Sequence, residues 1–444
     1  MKKLLLFLGL LLIAISSFTQ KIYIPDINFR LWLQNNYTSC MDGDSIITNC
    51  STVINATSVN VSFYSIIDLT GIEAFTSIDT LYCENNQLTN LDVFANTALT
   101  TLNCNNNQLT NLDVSANTGL TTLDCRVNAL TSLDVSTNTD LTTLKCSENP
   151  LTSLDVSSNT ALTTLMCNNS PYTSSLLSSL NLSGATALTY LNCSFNSLSN
   201  LDVSANTALT TLHCDYNQLT NLDVSANTSL TDLVCYYNQL TNLDVSANTA
   251  LTTLDCDYNQ ITNLDVSVNT ALTNMYCIDN QLTNLDVSAN MALTTLRCFN
   301  NQLTSLNVKN GNNTNFIYFN ATNNPNLTCI QVDNAIWSSV NWIHIDIGAY
   351  FNENCPLGIV AVKEQLNILM YPNPSKGILN IEFDRLNNNA TLSIIDISGK
   401  EIINDKIMSG SGLKQIDMQN LAKGVYVVKV VTEKTVKVEQ LLLQ

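Results

Sequence analysis

Histidine is nearly absent: of 444 residues only His213 and His344 carry an imidazole. Charged residues make up 12% of the chain. Their place is taken by Asn, Thr, Leu and Ser. Zinc-ligand spacing, a phosphate-binding loop and a serine-nucleophile motif are all missing. On these grounds we expect no enzyme, no resident metal and no cofactor. Beyond the N-terminus no segment is apolar enough to cross a bilayer. Bases are scarcer than acids, 18 Lys and Arg against 36 Asp and Glu, a net charge of −18. That balance argues against nucleic acid and against anionic membrane surfaces.

What is present begins with MKKLLLFLGLLLIAISSFT, residues 1–19. Two lysines, a short apolar run and small residues at Ser17 and Thr19 predict a secretory signal peptide cut before Gln20. The remaining charge is uneven. Residues 366–444 hold 9 bases and 8 acids, a net of +1, whereas residues 20–365 hold 7 bases and 28 acids, a net of −21. The break marks a domain boundary, and we read 356–365 as a linker.

Cysteine recurs every 21 residues, at 83, 104, 125, 146 and 167, then at 193, 214, 235, 256, 277 and 298. The one longer step spans PYTSS at 171–175, a loop inserted into one coil. A fixed short period predicts a solenoid, each repeat burying its apolar face only on its neighbours. In one unit Leu251, Leu254 and Cys256 alternate with Thr253, Asp255 and Asp257, a short strand with its apolar side inward. Asn259 takes the corner, where its amide bonds the backbone of stacked coils. Ile261, Leu264 and Val266 point inward from a second extended stretch, and Asn269 and Ala271 close the turn.

This pattern resembles the leucine-rich repeat LxxLxLxxNxL, with cysteine at the third apolar position, in eleven units between residues 78 and 313. Degenerate units flank it at 65–75 and 315–327. The internalin branch has similarly short repeats. The resemblance implies a parallel sheet on one face, a face that in the family usually binds a partner. Eleven coils at about 4.8 Å per strand span roughly 50 Å. With extended chain on the back, we expect weak curvature and visible twist.

The ladder cysteines sit in an apolar inward slot, where a thiol acts as a small hydrophobe. Neighbouring strands lie about 4.8 Å apart, too far for the ~3.8 Å Cβ separation of a disulfide. Cys40, Cys50, Cys329 and Cys355 lie outside the ladder, one pair at each end. Solenoid ends need caps, so we expect Cys40–Cys50 and Cys329–Cys355 bridges. The N-terminal cap, within 20–77, should carry a helix over 25–36 with Phe29, Trp32 and Leu33 on one face. Trp337 and Trp342 should cover the other end, within 314–355.

Residues 366–444 read as a small antiparallel β-sandwich. They resemble the C-terminal sorting domain of the type IX secretion system through Tyr371-Pro372-Asn373-Pro374, Gly377, Leu421-Ala422-Lys423-Gly424-Val425-Tyr426 and the terminal strand 436–443. That resemblance implies export across the outer membrane of a Gram-negative cell, removal of the domain, and often attachment to surface lipopolysaccharide.

Two ladders remain. Asp recurs at 92, 113, 134, 155, 202, 223, 244, 265 and 286. Each can accept backbone N–H bonds in an Asx turn; the competing reading is a calcium array, against which LDVSANT lacks the glycine-rich loops of calcium β-rolls. The outward strand positions are mostly small, polar or charged up to the unit of Cys167. Past the insertion they turn aromatic: Tyr190, Phe195, Tyr216, Tyr236, Tyr237, Tyr258, Tyr276 and Phe299. His213, Asp215, Asp232, Asp255, Asp257, Asp279 and Arg297 lie among them. Exposed aromatics on a rigid sheet suit an interface, and aromatics with carboxylates suit sugar rings. We therefore expect a monomeric adhesin-like binder of an extracellular protein or glycan. A structural spacer is the alternative, and a polymer hydrolase a distant third.

Overall fold

The structure is a computed structural model that describes residues 20–172, 176–355, 368–383, 389–410, 412–432 and 436–444. The expected signal peptide, the expected linker and residues 173–175 of the insertion lie outside the described residues. One compact unit runs to Thr328 and includes His344–Ala349; the other comprises Cys329–Ile343 and Tyr350–Gln444.

The first unit is a β-solenoid. Its main sheet has 13 parallel strands of three residues each, from Ser58–Asn60 to Tyr318–Asn320. The middle residue of each strand is buried, as with Leu212, Leu233 and Leu254. Register is strict: Leu212 pairs with Leu233 and Leu233 with Leu254, one repeat apart. The insertion leaves it intact, since Leu165 pairs with Leu191 across the longer step. On the opposite side the chain is extended, and short strands form where coils pair, Ser153–Asp155 with Ser179–Asn181 and Asn284–Asp286 with Ser305–Asn307.

The core is a stack of layers. Leu251, Leu254, Cys256, Ile261, Leu264 and Val266 from one coil are all buried. The ladder cysteines are all buried free thiols. Several donate weakly to the next strand, as Cys256 does to the Tyr276 carbonyl at 3.4 Å. Burial pushes each thiol up, Cys146 and Cys298 to about 12.

Two asparagine ladders join the coils. Asn259 Nδ2 donates to the Cys235 and Cys256 carbonyls at 3.1 and 3.2 Å, and its Oδ1 accepts from Leu240 N at 3.0 Å. Asn269 Nδ2 donates to Val245 O and Asn248 O at 3.0 and 2.8 Å. A backbone carbonyl buried at a coil corner has no water to turn to, so a fixed amide donor per coil removes a penalty of about 1–3 kcal/mol.

Helix Ile27–Asn36 caps the start, burying Phe29, Trp32 and Leu33. Asp26 caps it, accepting from Phe29 N at 2.8 Å, and its second oxygen accepts from Ile67 N at 2.8 Å. Cys40 and Cys50 are bridged.

In the second unit Cys329 and Cys355 are bridged. Helix Ala335–Asn341 is capped by Asn334, and Trp342 is buried between Trp337 and Phe351, at ring distances of 5.9 and 5.7 Å. The rest is the expected sandwich. A three-stranded sheet (Ile368–Tyr371, Ile378–Phe383, Leu413–Asp417) faces a four-stranded one (Glu401–Ile407, Ala390–Asp396, Gly424–Val431, Val436–Leu443). Leu379, Ile381, Leu392, Ile394, Val428 and Leu441 fill the space between.

Candidate functional site on the main sheet

Each coil offers three outward positions. The strand's third residue gives the row Asn192, His213, Val234, Asp255, Tyr276, Arg297, aligned by strand register. The residue after each cysteine gives Ser194, Asp215, Tyr236, Asp257, Ile278 and Phe299. The next residue is the corner: Phe195, Tyr216, Tyr237 and Tyr258 all have φ between 50 and 56. These four rings are expected among the outward positions of the strands. The strands end after three residues, and the chain turns left-handed two residues past each cysteine, so the rings stand along the sheet's rim.

In-register coils bring corner rings within stacking distance. Phe195–Tyr216, Tyr216–Tyr237 and Tyr237–Tyr258 have centroids 4.1, 4.5 and 4.1 Å apart, with interplanar angles of 18°, 12° and 6°. Tyr258 hydrogen-bonds Tyr237, which with burial pushes its phenol up to about 12. Stacked rings cover one another's faces and show solvent their edges and hydroxyls. A sugar ring needs a free aromatic face, and this ladder keeps such faces only at its two ends.

Tyr236 stands inboard, edge-on to Tyr216 at 5.3 Å and to Tyr237 at 5.9 Å. Its hydroxyl is raised by burial and by Asp215 beside it. Asp215 and Asp257 are buried, 5% and 9% exposed, deeper than the alternation predicted. The reason is that both bond neighbouring coils. Asp215 Oδ1 accepts from Ser194 Oγ at 2.5 Å, and Asp257 Oδ1 from Ile278 N at 2.6 Å. Burial pushes Asp257 up to about 8, reinforced by the charge of Asp255, and pushes Asp255 to about 6.

The cations on this face are already engaged. His213 Nε2 lies 3.3 Å from Asp232 Oδ2 and edge-on to Tyr190 at 6.0 Å. The Arg297 guanidinium sits 5.4 Å from the Tyr276 ring and 4.6 Å from that of Tyr318. Cys214 is buried while its neighbour His213 is half-buried on the outer face, so the two form no catalytic pair.

The back-face aspartates cap their own turns. Asp223, Asp244 and Asp265 each accept the N–H two residues on, at 2.9 Å. The serine bonds hold these carboxyls below the usual range. That is the Asx reading. Among the described residues no group of three or more His, Cys, Asp or Glu converges on a metal position.

In the sandwich the motif residues secure the last strand. Asn373 Nδ2 donates to Gln440 O at 2.7 Å and its Oδ1 accepts from Leu442 N at 3.0 Å. Tyr371-Pro372 and Asn373-Pro374 are cis. Gly377 has φ +121 and faces Gln419, whose Cγ would lie 2.7 Å from a Cβ there. Gly424 opens the strand in which Tyr426 is buried, its hydroxyl donating to Ala422 O at 2.6 Å.

Residues 369–444 match the family described as the secretion system C-terminal sorting domain. The functional domain of InlJ from Listeria monocytogenes, described as including a cysteine ladder, is 28% identical, with a TM-score of 0.60 over 96% of this chain and 99% of that one. An internalin, InlF, from the same species is 19% identical, with a TM-score of 0.49 over 70% of this chain and 96% of that one. No curated protein matches the sequence. The cysteine ladder has a counterpart in the InlJ domain, and the terminal sandwich falls within the matched family: the chain is an internalin-like leucine-rich-repeat solenoid joined to a secretion-system C-terminal sorting domain.

Proposed function

We propose that this protein is a non-catalytic binder displayed on, or released from, the outer face of a Gram-negative cell by type IX secretion. Its main-sheet face between Tyr190 and Phe299 docks an extracellular partner. One observation carries the reading. The buried positions repeat almost unchanged along the solenoid, while the outward ones vary and gather aromatics and carboxylates past the insertion. Folding alone has no use for that divergence. Rings that show their edges favour a protein partner over a stacked sugar.

The spacer reading has an observation of its own. The corner rings satisfy one another, and a ladder of that kind stiffens a rod without any ligand. The two readings part on a binding screen. The full chain is passed over extracellular proteins and glycans beside a Tyr236→Ala/Tyr258→Asn/Tyr276→Ala variant, asparagine being chosen at 258 because it tolerates a left-handed corner. Saturable binding lost in the variant supports the docking face. Binding indifferent to these changes, or none, favours the spacer.

A further inference from the structure

A cleft of about 730 Å³ opens at the N-terminal end of the main sheet, where the cap helix meets the first strand and the residues that follow it. Trp32 and Tyr37, 5.7 Å apart, share its walls with Asn36, Ser58 and Asn60, and the exposed rings of Phe63 and Tyr64 complete it. Phe63 is 73% exposed at φ +66, an unusual place for a phenylalanine without a contact to make. Two residues that line the same cleft, Ser62 and Glu84, each hold a buried oxygen without a partner. Ser62 is 9% exposed and its Oγ bonds nothing; Glu84 Oε2 is buried and bonds nothing. Each is costly to leave so, and they do not bond each other.

We propose that this cleft binds a primary ammonium group on an alkyl chain, the chemistry of a lysine side chain or a free diamine. Aromatic walls attract a cation through their faces. The carboxylate supplies the counter-charge. Glu84 Oε2 can only accept, and the Ser62 hydroxyl can accept as well, so both suit the N–H donors that a primary ammonium has and a quaternary one lacks. An anion would meet Glu84, and a neutral apolar ligand would leave both oxygens orphaned. The site is separate from the main-sheet rings between Tyr190 and Phe299, so either can fail alone.

The test is an NMR titration of the full chain with four probes: capped lysine, capped norleucine, capped trimethyl-lysine and 1,5-diaminopentane. Capped lysine or the diamine should saturate at least tenfold more tightly than norleucine or trimethyl-lysine, and the tighter of those two identifies the source. Glu84→Gln should weaken binding tenfold or more at an unchanged melting temperature. Phe63→Asn, which keeps a residue suited to positive φ, should weaken it several-fold. Trimethyl-lysine binding as well as lysine, no saturation by either amine, or full binding in Glu84→Gln would overturn the proposal.

Discussion

At the scale of single residues the solenoid's chemistry is set by what each coil does with its polar groups. Amides are given to buried carbonyls, as at Asn259 and Asn269, because a neutral donor is desolvated more cheaply than a charged one; Asn269 Oδ1 itself stays buried without a partner. Carboxylates are mostly kept on the exposed back, as at Asp244 and Asp265. Asp255 and Asp257 break that rule, and stability should register it. An unfolded aspartate titrates near 3.9, while burial holds Asp255 at about 6 and burial with its neighbour's charge holds Asp257 at about 8. Above pH 8 both are charged in either state, and the folded form carries the whole cost of burying them. As the pH falls through 8 and then 6, the folded state takes up protons that the unfolded state refuses, so stability rises until about pH 4. Below that the back-face aspartates, with depressed values, are lost in turn. The melting temperature should therefore peak near pH 4–5. Asp257→Asn should melt higher than the wild type at pH 9 and level with it at pH 5. A wild-type curve flat from pH 9 to 5 would contradict this account.

At the scale of the repeat, the inward slot was legible because it is the same in every coil. Cys256, Leu254 and Val266 fall at fixed offsets, and burial follows from period alone. The corner was less legible. Alternation continued past Cys235 makes Tyr236 outward and Tyr237 inward, yet the strand Asp232–Val234 has already ended. The backbone turn, not the pleat, aims both rings. A bulky residue two after cysteine, recurring at 195, 216, 237 and 258, was the signal that could have placed the aromatic ladder. The depth of Asp215 and Asp257 was hidden because their partners, Ser194 and Ile278, lie one coil away. The ammonium cleft was out of reach altogether: Trp32 and Glu84 are brought together by the cap's packing, which no period records. The ladder itself makes a sharp prediction. Folded protein should react negligibly with a chromogenic thiol reagent, since burial both blocks access and suppresses the thiolate. Unfolded without reductant, it should give about eleven thiols, the two cap bridges remaining closed. A count near zero would mean that the ladder is oxidised and that the stacking geometry is wrong.

Across the whole molecule the charge is divided by role. The repeat body carries a net of −21 and the sorting domain +1, so the solenoid by itself is strongly acidic. Self-repulsion at that charge favours monomers, which suits the proposed docking face. The sorting domain has another task, to keep its last strand folded and in place. The terminal strand Val436–Leu443 pairs along its full length with Gly424–Val431 on one side. On its other side Asn373 clasps Gln440 and Leu442, and Ser375 N donates to Leu442 O at 2.8 Å. The Tyr-Pro-Asn-Pro motif thus acts as a latch on the strand's free edge. Removing residues 369–444 should leave the protein inside a host that has this secretion system. Asn373→Ala, which takes both clasping bonds at about 1 kcal/mol each, should lower the exported fraction while Glu401→Gln, exposed on a different strand, leaves it unchanged. Export of Asn373→Ala at the wild-type level would show that the latch is not what the machinery depends on, and would shift attention to the residues of the motif that face solvent.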